Sequence, residues 1–191
     1  MNFLAHAYLA RRSIPHLVGN FIADFVKGNQ AYQYDDGIVE GILMHRRIDE
    51  FTDSHEIFKK SRNRIKDKYR HYSGVIIDLY YDHFLAKNWK KYEKTPLDKF
   101  AEFVYAVIQD HIYIIPHRAQ YVLPYMIKQN WLVNYSHVEG IDRSLKGLSR
   151  RTPYKSRMDE AAEDLLKHYD QFESDFNLFF PEIIAFLEEE K

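Results

Sequence analysis

Residues 73–88 read SGVIIDLYYDHFLAKN, and their apolar side chains recur at the spacing of an α-helix. Ser73 is a typical N-cap residue, so we expect the helix to cover about Gly74 to Asn88. Asp78 and Asp82 stand four residues apart inside this apolar run, and residues at that spacing share one helix face. The stretch therefore predicts a buried helix that also carries two carboxylates.

Helical spacing extends over nearly all of the 191-residue chain, and no segment alternates convincingly at the period of a β-strand. Seven Gly and six Pro are few, which argues against a loop-rich all-β fold. The predicted helices cover about residues 2–11, 16–27, 37–54, 56–69, 74–88, 97–115, 121–131, 137–147 and 157–180, and a closing one begins at Pro181. A chain of this length suits one compact domain, so we predict an all-α, single-domain helical bundle over residues 1–191.

The composition limits the kinds of site and the location. Cysteine is absent, which excludes disulfides and thiolate metal ligands and is compatible with a reducing compartment. The N-terminal stretch MNFLAHAYLARR carries its charge after its apolar part, the reverse of a signal peptide, and no apolar run is long enough to cross a bilayer. We therefore expect a cytoplasmic protein that acts on no membrane.

Charge is unevenly distributed, although the net charge is only -1. Lys59 to Arg70 holds seven basic residues against one acid, and Arg143 to Arg157 holds six basic residues and no acid. Basic segments on a nearly neutral protein indicate either an anionic partner or two solvated surfaces. The balanced overall charge and the lack of a nucleic-acid motif argue against nucleic acid as that partner.

Four polar pairs at i, i+4 spacing are the main candidates for chemistry. They are Asn2 and His6, Asn20 and Asp24, His45 and Asp49, and Asp78 and Asp82, and each pair lies among apolar neighbours. A buried carboxylate is costly unless it is paired or binds a cation. Facing helices of a bundle can bring such groups together, and imidazole with carboxylate suits Mn, Fe, Zn or Mg. The alternative is that each pair is a helix cap, a surface acid or a hydrogen-bonded core group.

Two further residues flank these pairs. His83 follows Asp82 directly, so it points about 100° away around the helix and can reach the same site only from its edge. Arg46 follows His45 and can clamp a phosphate, although a surface salt bridge is the commoner role. The chain has no Walker loop and no G-x-S-x-G elbow, so a metal-activated water is the simplest mechanism.

Four sequence blocks resemble the acyl carrier protein phosphodiesterase family. They are MNFLAH at 1–6, VGNFIADFVKG at 18–28, GILMHRRID at 41–49 with FTDSH at 51–55, and DLYYDHFL at 78–85 followed by Asn88 and Trp89. The resemblance implies an enzyme that removes the 4'-phosphopantetheine arm from holo-acyl carrier protein. It also implies a helical, Mn-dependent relative of the HD-type metal phosphohydrolases, although His45 is followed by Arg46 and not by the adjacent Asp of HD proteins.

The polar pairs and the resemblance together predict three sets of residues. The expected ligands of a divalent metal are His6, Asp24, His45, Asp49, Asp78 and Asp82. The expected catalytic residues are Asp24, His45, Asp49, Asp78, His83 and Arg46. The expected docking surface for the acidic carrier protein consists of Lys59, Lys60, Arg62, Arg64, Arg150 and Arg151. The alternatives are a phosphohydrolase of small nucleotides and a non-catalytic helical module whose basic helix grips an acidic partner.

Overall fold

The computed structural model describes residues 1–189. Within that range it contains eleven α-helices, several short 3-10 turns and no β-strand, so the all-α prediction is confirmed there. The α-helices are α1 (Phe3–Ala10), α2 (Ile14–Ile22), α3 (Asp36–Ser54), α4 (Glu56–Tyr69), α5 (Ser73–Lys87), α6 (Leu97–Asp110), α7 (His117–Lys128), α8 (Trp131–Asn134), α9 (Val138–Arg151), α10 (Ala161–Lys167) and α11 (Tyr169–Glu189). None of these described helices has both the length and the apolar character that a bilayer span requires.

Several helix boundaries differ from the sequence prediction, each for a local reason. The second predicted helix ends early, because the chain tightens into a 3-10 turn at Ala23–Phe25. The long helix predicted over residues 157–180 begins later than expected, because Arg157 has a φ of 59°, which no α-helical residue adopts. It is also divided in two, since α10 ends at Lys167 and α11 begins after His168. Pro181 lies inside α11 and does not begin a new helix.

The sequence predicts Asp53 or Ser54 as the cap of the basic helix and Ser73 as the cap of the helix after it, and both predictions were wrong. His55 caps α4, since its imidazole accepts a backbone amide at 3.2 Å, whereas Asp53 and Ser54 belong to the end of α3. Ser73 lies inside α5 and its hydroxyl donates a hydrogen bond to the Arg70 carbonyl at 2.6 Å. A 3-10 turn leads directly into α5, so a side-chain cap at Ser73 is not needed.

The hydrophobic core is built around α5, which packs against α1, α4, α9 and α11. The aromatic side chains of α5 meet those of α11 at ring-centroid distances of 5.1 Å for Tyr80 with Phe172 and 5.6 Å for Tyr81 with Phe176. Both contacts are edge-to-face, which is a favoured arrangement of aromatic rings. The apolar stretch at residues 73–88 is thus the buried helix that its sequence predicts.

Two glycines allow α2 and α3 to cross at very short range. A Cβ atom on Gly19 would lie 2.1 Å from the carbonyl oxygen of Ile38, and one on Gly41 would lie 2.5 Å from that of His16. Real Cβ atoms do not approach backbone this closely, so the crossing requires glycine at both positions. Because Asn20 follows Gly19 directly, the crossing brings this buried residue of α2 against α3.

Candidate metal centre

Four of the predicted polar side chains converge beside the α2–α3 crossing. His6 comes from α1, Asp24 from the turn after α2, and His45 and Asp49 from successive turns of α3. The Nε2 atom of His6 lies 3.2 Å from one Asp49 oxygen, and the Nε2 atom of His45 lies 3.1 Å from the other. A third contact of 3.3 Å joins His45 Nε2 to Asp24. Two imidazoles therefore present the same ring nitrogen to two carboxylates.

Asn20 holds both imidazoles through their Nδ1 atoms. Its side-chain oxygen accepts from His6 Nδ1 at 2.8 Å and from His45 Nδ1 at 3.1 Å, and its backbone carbonyl accepts from His45 Nδ1 at 3.0 Å. A carbonyl oxygen only accepts hydrogen bonds, so both Nδ1 atoms carry a hydrogen. When an imidazole is neutral, its Nε2 atom then has a free lone pair, which is the form that binds a metal.

The geometry of His6 favours a cation at this place. Its ring is buried and stacks on the ring of His45 at a centroid distance of 3.9 Å. Its Nε2 atom makes no hydrogen bond within residues 1–189, although it faces Asp49. A lone pair directed at a carboxylate is unfavourable without a positive charge between them. One ligand atom from each of His6, His45 and Asp49 lies within 4.8 Å of the others, which suits a divalent ion bound by nitrogen and oxygen.

The charges of the cluster depend strongly on each other. Burial alone lowers the pKa of His45, but its hydrogen bonds to Asp24 and Asp49 outweigh burial and raise that pKa to about 9. Burial and the adjacent His45 lower the pKa of His6 to about 4. Burial raises the pKa of Asp49, but the adjacent His45 and His6 imidazoles and the Met1 ammonium outweigh burial and hold that pKa well below its ordinary value. The cluster thus attracts positive charge, and the raised pKa of His45 is one consequence.

The carboxylates predicted on α5 meet the start of α1. Asp78 forms an ion pair with the Met1 ammonium at 2.9 Å, and the same ammonium lies 3.8 Å from Asp49. Asp82 accepts the backbone amides of Leu4 at 2.8 Å and Ala5 at 3.1 Å. These are first-turn amides of α1 that have no partner inside the helix, so Asp82 caps α1 from a neighbouring helix. Asp78 therefore lies next to the cluster, whereas both oxygens of Asp82 are occupied by the backbone.

His83 and Arg46 lie outside the cluster. The imidazole of His83 is buried between the Tyr135 carbonyl, 2.8 Å from Nδ1, and the Tyr169 hydroxyl, 2.7 Å from Nε2. The guanidinium of Arg46 is exposed and donates to the Gly28 carbonyl at 3.2 Å. Neither residue makes a hydrogen bond or ion pair to the four cluster side chains within the described part of the chain.

The six basic residues predicted to bind a partner have different environments. Lys60 and Arg64 both contact the buried carboxylate of Asp175, each at 2.8 Å. Lys59 pairs with Glu56 at 2.9 Å, and Arg151 donates to the Gly147 carbonyl at 3.1 Å. Arg62 and Arg150 make no ion pair within residues 1–189. The predicted surface is therefore divided between internal ion pairs and free cations.

A small cavity adjoins the imidazoles. It has a volume of about 20 Å³ and is lined by His6, Asn20, Asp24 and His45 on one side and by apolar side chains of α2, α6, α7 and α8 on the other. That volume is close to the space of one water molecule. A space of that size next to the imidazoles can hold one water or one ion.

Sequence reasoning found all four converging side chains and placed Asn20 among the polar pairs, but it did not place Asn20 between the two imidazoles. The signal was present, because Asn20 stands four residues before Asp24 on an apolar helix. It did not reveal that one amide oxygen would reach two imidazoles from two other helices. The fold and the cluster together define a helical protein with a candidate divalent-metal centre, of the type that many hydrolases use.

Comparison with known proteins identifies the family. A family model described as acyl carrier protein phosphodiesterase matches residues 1–183, and the chain belongs to this family. The acyl carrier protein phosphodiesterase of Photorhabdus laumondii is 38% identical over 182 residues, which cover 95% of this chain and 92% of the relative. The enzyme of Pectobacterium atrosepticum is 36% identical over 96% of this chain and 96% of its own length. That of Yersinia enterocolitica is 35% identical over 97% of this chain and 96% of its own length. No solved structure matches the chain.

Proposed function

We propose that this protein hydrolyses the phosphodiester bond between acyl carrier protein and its 4'-phosphopantetheine arm. The oxygen of a water molecule bonds to phosphorus, the bond from phosphorus to the carrier's Ser oxygen breaks, and that oxygen gains a proton. The products are apo carrier protein and 4'-phosphopantetheine. Family membership supports the substrate. The observation that carries the choice of site is the pair of Nε2 atoms, from His6 and His45, that are held against Asp49.

In this proposal, His6, His45 and Asp49 hold a divalent metal ion, with Asp24 at the edge of the site. The nitrogen and oxygen ligands fit the Mn that the family resemblance implies, and they also fit Mg, Fe or Zn. A bound divalent ion lowers the pKa of a water and offsets negative charge on the phosphoryl oxygens. The ligand atoms come from α1 and α3, so both helices must be docked before the site exists.

The side chains of the site have distinct tasks. Asn20 fixes the ring orientation and the protonated nitrogen of both imidazoles. Asp24 is 64% exposed and Asp49 is 43% exposed, whereas both imidazoles are buried, so the phosphodiester approaches from the carboxylate side. The hydrogen bond with His45 lowers the pKa of Asp24. Asp24 is therefore ionised at neutral pH, and we assign it the role of accepting a hydrogen bond from the attacking water.

Asp78 has a supporting role in the same proposal. Its ion pair with the Met1 ammonium places that cation 3.8 Å from Asp49, so it helps to hold the carboxylate in position. We assign no catalytic role to Asp82, His83 or Arg46. We also propose that residues 1–191 act as one domain in the cytoplasm. The relation to the HD-type phosphohydrolases stays a prediction.

The test is the mass of holo-acyl carrier protein after incubation with the purified protein and Mn. We expect the carrier to lose the mass of its phosphopantetheine arm. Asp49→Ala should remove this activity and keep the helical circular dichroism, whereas Asp98→Ala, which removes an exposed carboxylate on α6, should change neither. Full turnover by Asp49→Ala would exclude the proposed site. Equal turnover of free nucleotides would instead favour a phosphohydrolase of small nucleotides.

A further inference from the structure

Helix α4 carries two basic rows, and the cations of one row form ion pairs with acids of α10 and α11. Lys60, Arg64 and Lys68 follow each other at four-residue spacing. Lys60 and Arg64 share the buried Asp175 of α11, and Lys68 pairs with Asp164 of α10 at 2.7 Å. This row joins α4 to the C-terminal helices. It therefore has little charge left to attract a partner.

The second row is different. Arg62 and Lys66 stand four residues apart and share a side of α4, and Arg70 follows directly after the helix end and lines the same cleft. None of the three makes an ion pair or a hydrogen bond through its side chain within residues 1–189, and the Nε atom of Arg62 is buried without a hydrogen-bond partner. We call these three residues the free basic row. Arg70 has a φ of 50°, which is uncommon for a residue other than glycine.

The free basic row lines an open cleft that extends to Asp78. The cleft has a volume of about 740 Å³, and its walls include all three cations, His71 and the first turn of α5. Asp78 also lines it. Because Asp78 binds the Met1 ammonium, which lies 3.8 Å from Asp49, the cleft adjoins the cluster across two contacts.

We propose that the free basic row is the docking surface for an acidic segment of the carrier protein, an inference that rests on the proposed function. Arg62 and Lys66 lie about 6 Å apart along α4, and Arg70 follows the end of the helix. Three cations in one cleft exceed what a single phosphate group needs and suit a segment that carries several acids. A segment bound there has its neighbouring residues next to Asp78. Of the six basic residues predicted from the sequence, only Arg62 belongs to this row.

The cleft also discriminates between anionic partners. Asp53 and Asp67 line it together with the three cations. A partner must place its own acids against the free basic row and avoid these two carboxylates, because like charges in contact are repelled. An arrangement of this kind favours a protein with a defined pattern of acids over a uniform polyanion such as nucleic acid.

The test compares two triple variants of the metal-loaded protein. The first removes the free basic row through R62Q, K66Q and R70Q. The second, as a control, removes three exposed cations that line neither cavity, through K90Q, R118Q and K128Q. Binding of apo carrier protein is measured by titration at two salt concentrations. We expect the first variant to bind at least about tenfold more weakly with a flatter salt dependence, and the control to bind like the wild type.

Kinetics with holo carrier give a second readout. We expect the first triple variant to raise KM by a similar factor while kcat stays within about twofold, since the cluster is untouched. If that variant does not fold, as judged by circular dichroism, K66E alone replaces it, because Lys66 is exposed and its charge is reversed.

Unchanged binding in the first triple variant would overturn the docking surface. Equal loss in both triples, or equally tight binding of short duplex DNA to the free basic row, would overturn it as well. Binding of apo carrier needs no turnover, so the docking result is separate from the proposed function. Failure of the proposed function would show as a wild-type protein that does not change the mass of holo carrier.

Discussion

Replacing Asn20 with Ala should weaken metal binding without destroying the fold. The substitution removes the acceptor that His6 Nδ1 has among residues 1–189, whereas His45 keeps the backbone carbonyl of residue 20 at 3.0 Å. Loss of an outer partner of this kind typically lowers metal affinity by about 10- to 100-fold. A buried Nδ1 hydrogen without a partner costs about 1–3 kcal/mol of unfolding free energy. Part of this loss is offset, because the side-chain amide nitrogen of Asn20 is itself buried without a partner.

The assay has a readout that does not depend on catalysis. Because the pKa of His6 is about 4, its ring is neutral at pH 7, and ¹⁵N NMR of the metal-free protein reports which nitrogen carries the hydrogen. We expect the hydrogen on Nδ1 in the wild type and a mixture in Asn20→Ala. Asn20→Asp keeps an acceptor oxygen, so it should keep the wild-type tautomer and bind Mn within a few-fold. Wild-type Mn affinity in Asn20→Ala, measured by calorimetry, would refute the role of Asn20.

Three further predictions concern the pH dependence of the site and the packing around it. The affinity for Mn should rise by up to about tenfold per pH unit from pH 7 to 9, because His45 has a pKa of about 9 and must lose a proton to bind metal. Calorimetry in different buffers measures the released proton, and an affinity that does not change with pH would contradict this prediction. Gly19→Ala should lower the unfolding free energy by about 3 kcal/mol or more, because the new Cβ meets the Ile38 carbonyl. Gly74→Ala in helix α5 is the control, because its new Cβ meets nothing within 4 Å. Its unfolding free energy should stay the same or rise by up to about 1 kcal/mol, and urea denaturation measures both variants. Asp82→Ala should lower the unfolding free energy by about 1–3 kcal/mol through loss of the α1 cap, and a change below about 0.5 kcal/mol in the same experiment would argue against that role.

The parts of the site that lie on one helix were predictable from spacing. His45 and Asp49 are one turn apart on α3, so any helical form of this segment places them on the same face. The same spacing on α5 does not decide whether Asp78 and Asp82 bind a metal, and that assignment stays a prediction. Whether Asp82 meets a metal or the amides of α1 depends on how two helices dock, and the sequence of α5 does not contain that information.

The role of Asn20 and the choice of basic row depend on packing between distant segments. Asn20 reaches both imidazoles because Gly19 lets α2 approach α3, and apolar periodicity does not reveal such a crossing. In the same way, Lys60 and Arg64 are neutralised by Asp175, which lies more than a hundred residues later in the chain. Local charge counts could therefore locate the basic helix but not its free side.

The charge balance of the cluster favours a divalent ion over a proton or a monovalent ion. The Met1 ammonium balances Asp78, which leaves the carboxylates of Asp24 and Asp49 around His45. A proton on His45 supplies only one positive charge for these two carboxylates, and a monovalent ion in its place supplies no more. A divalent ion supplies two and lets both imidazoles bind through Nε2. Asn20 orients both rings through hydrogen bonds inside the protein, so a divalent ion bound there would spend little of its binding energy on ordering the ligands.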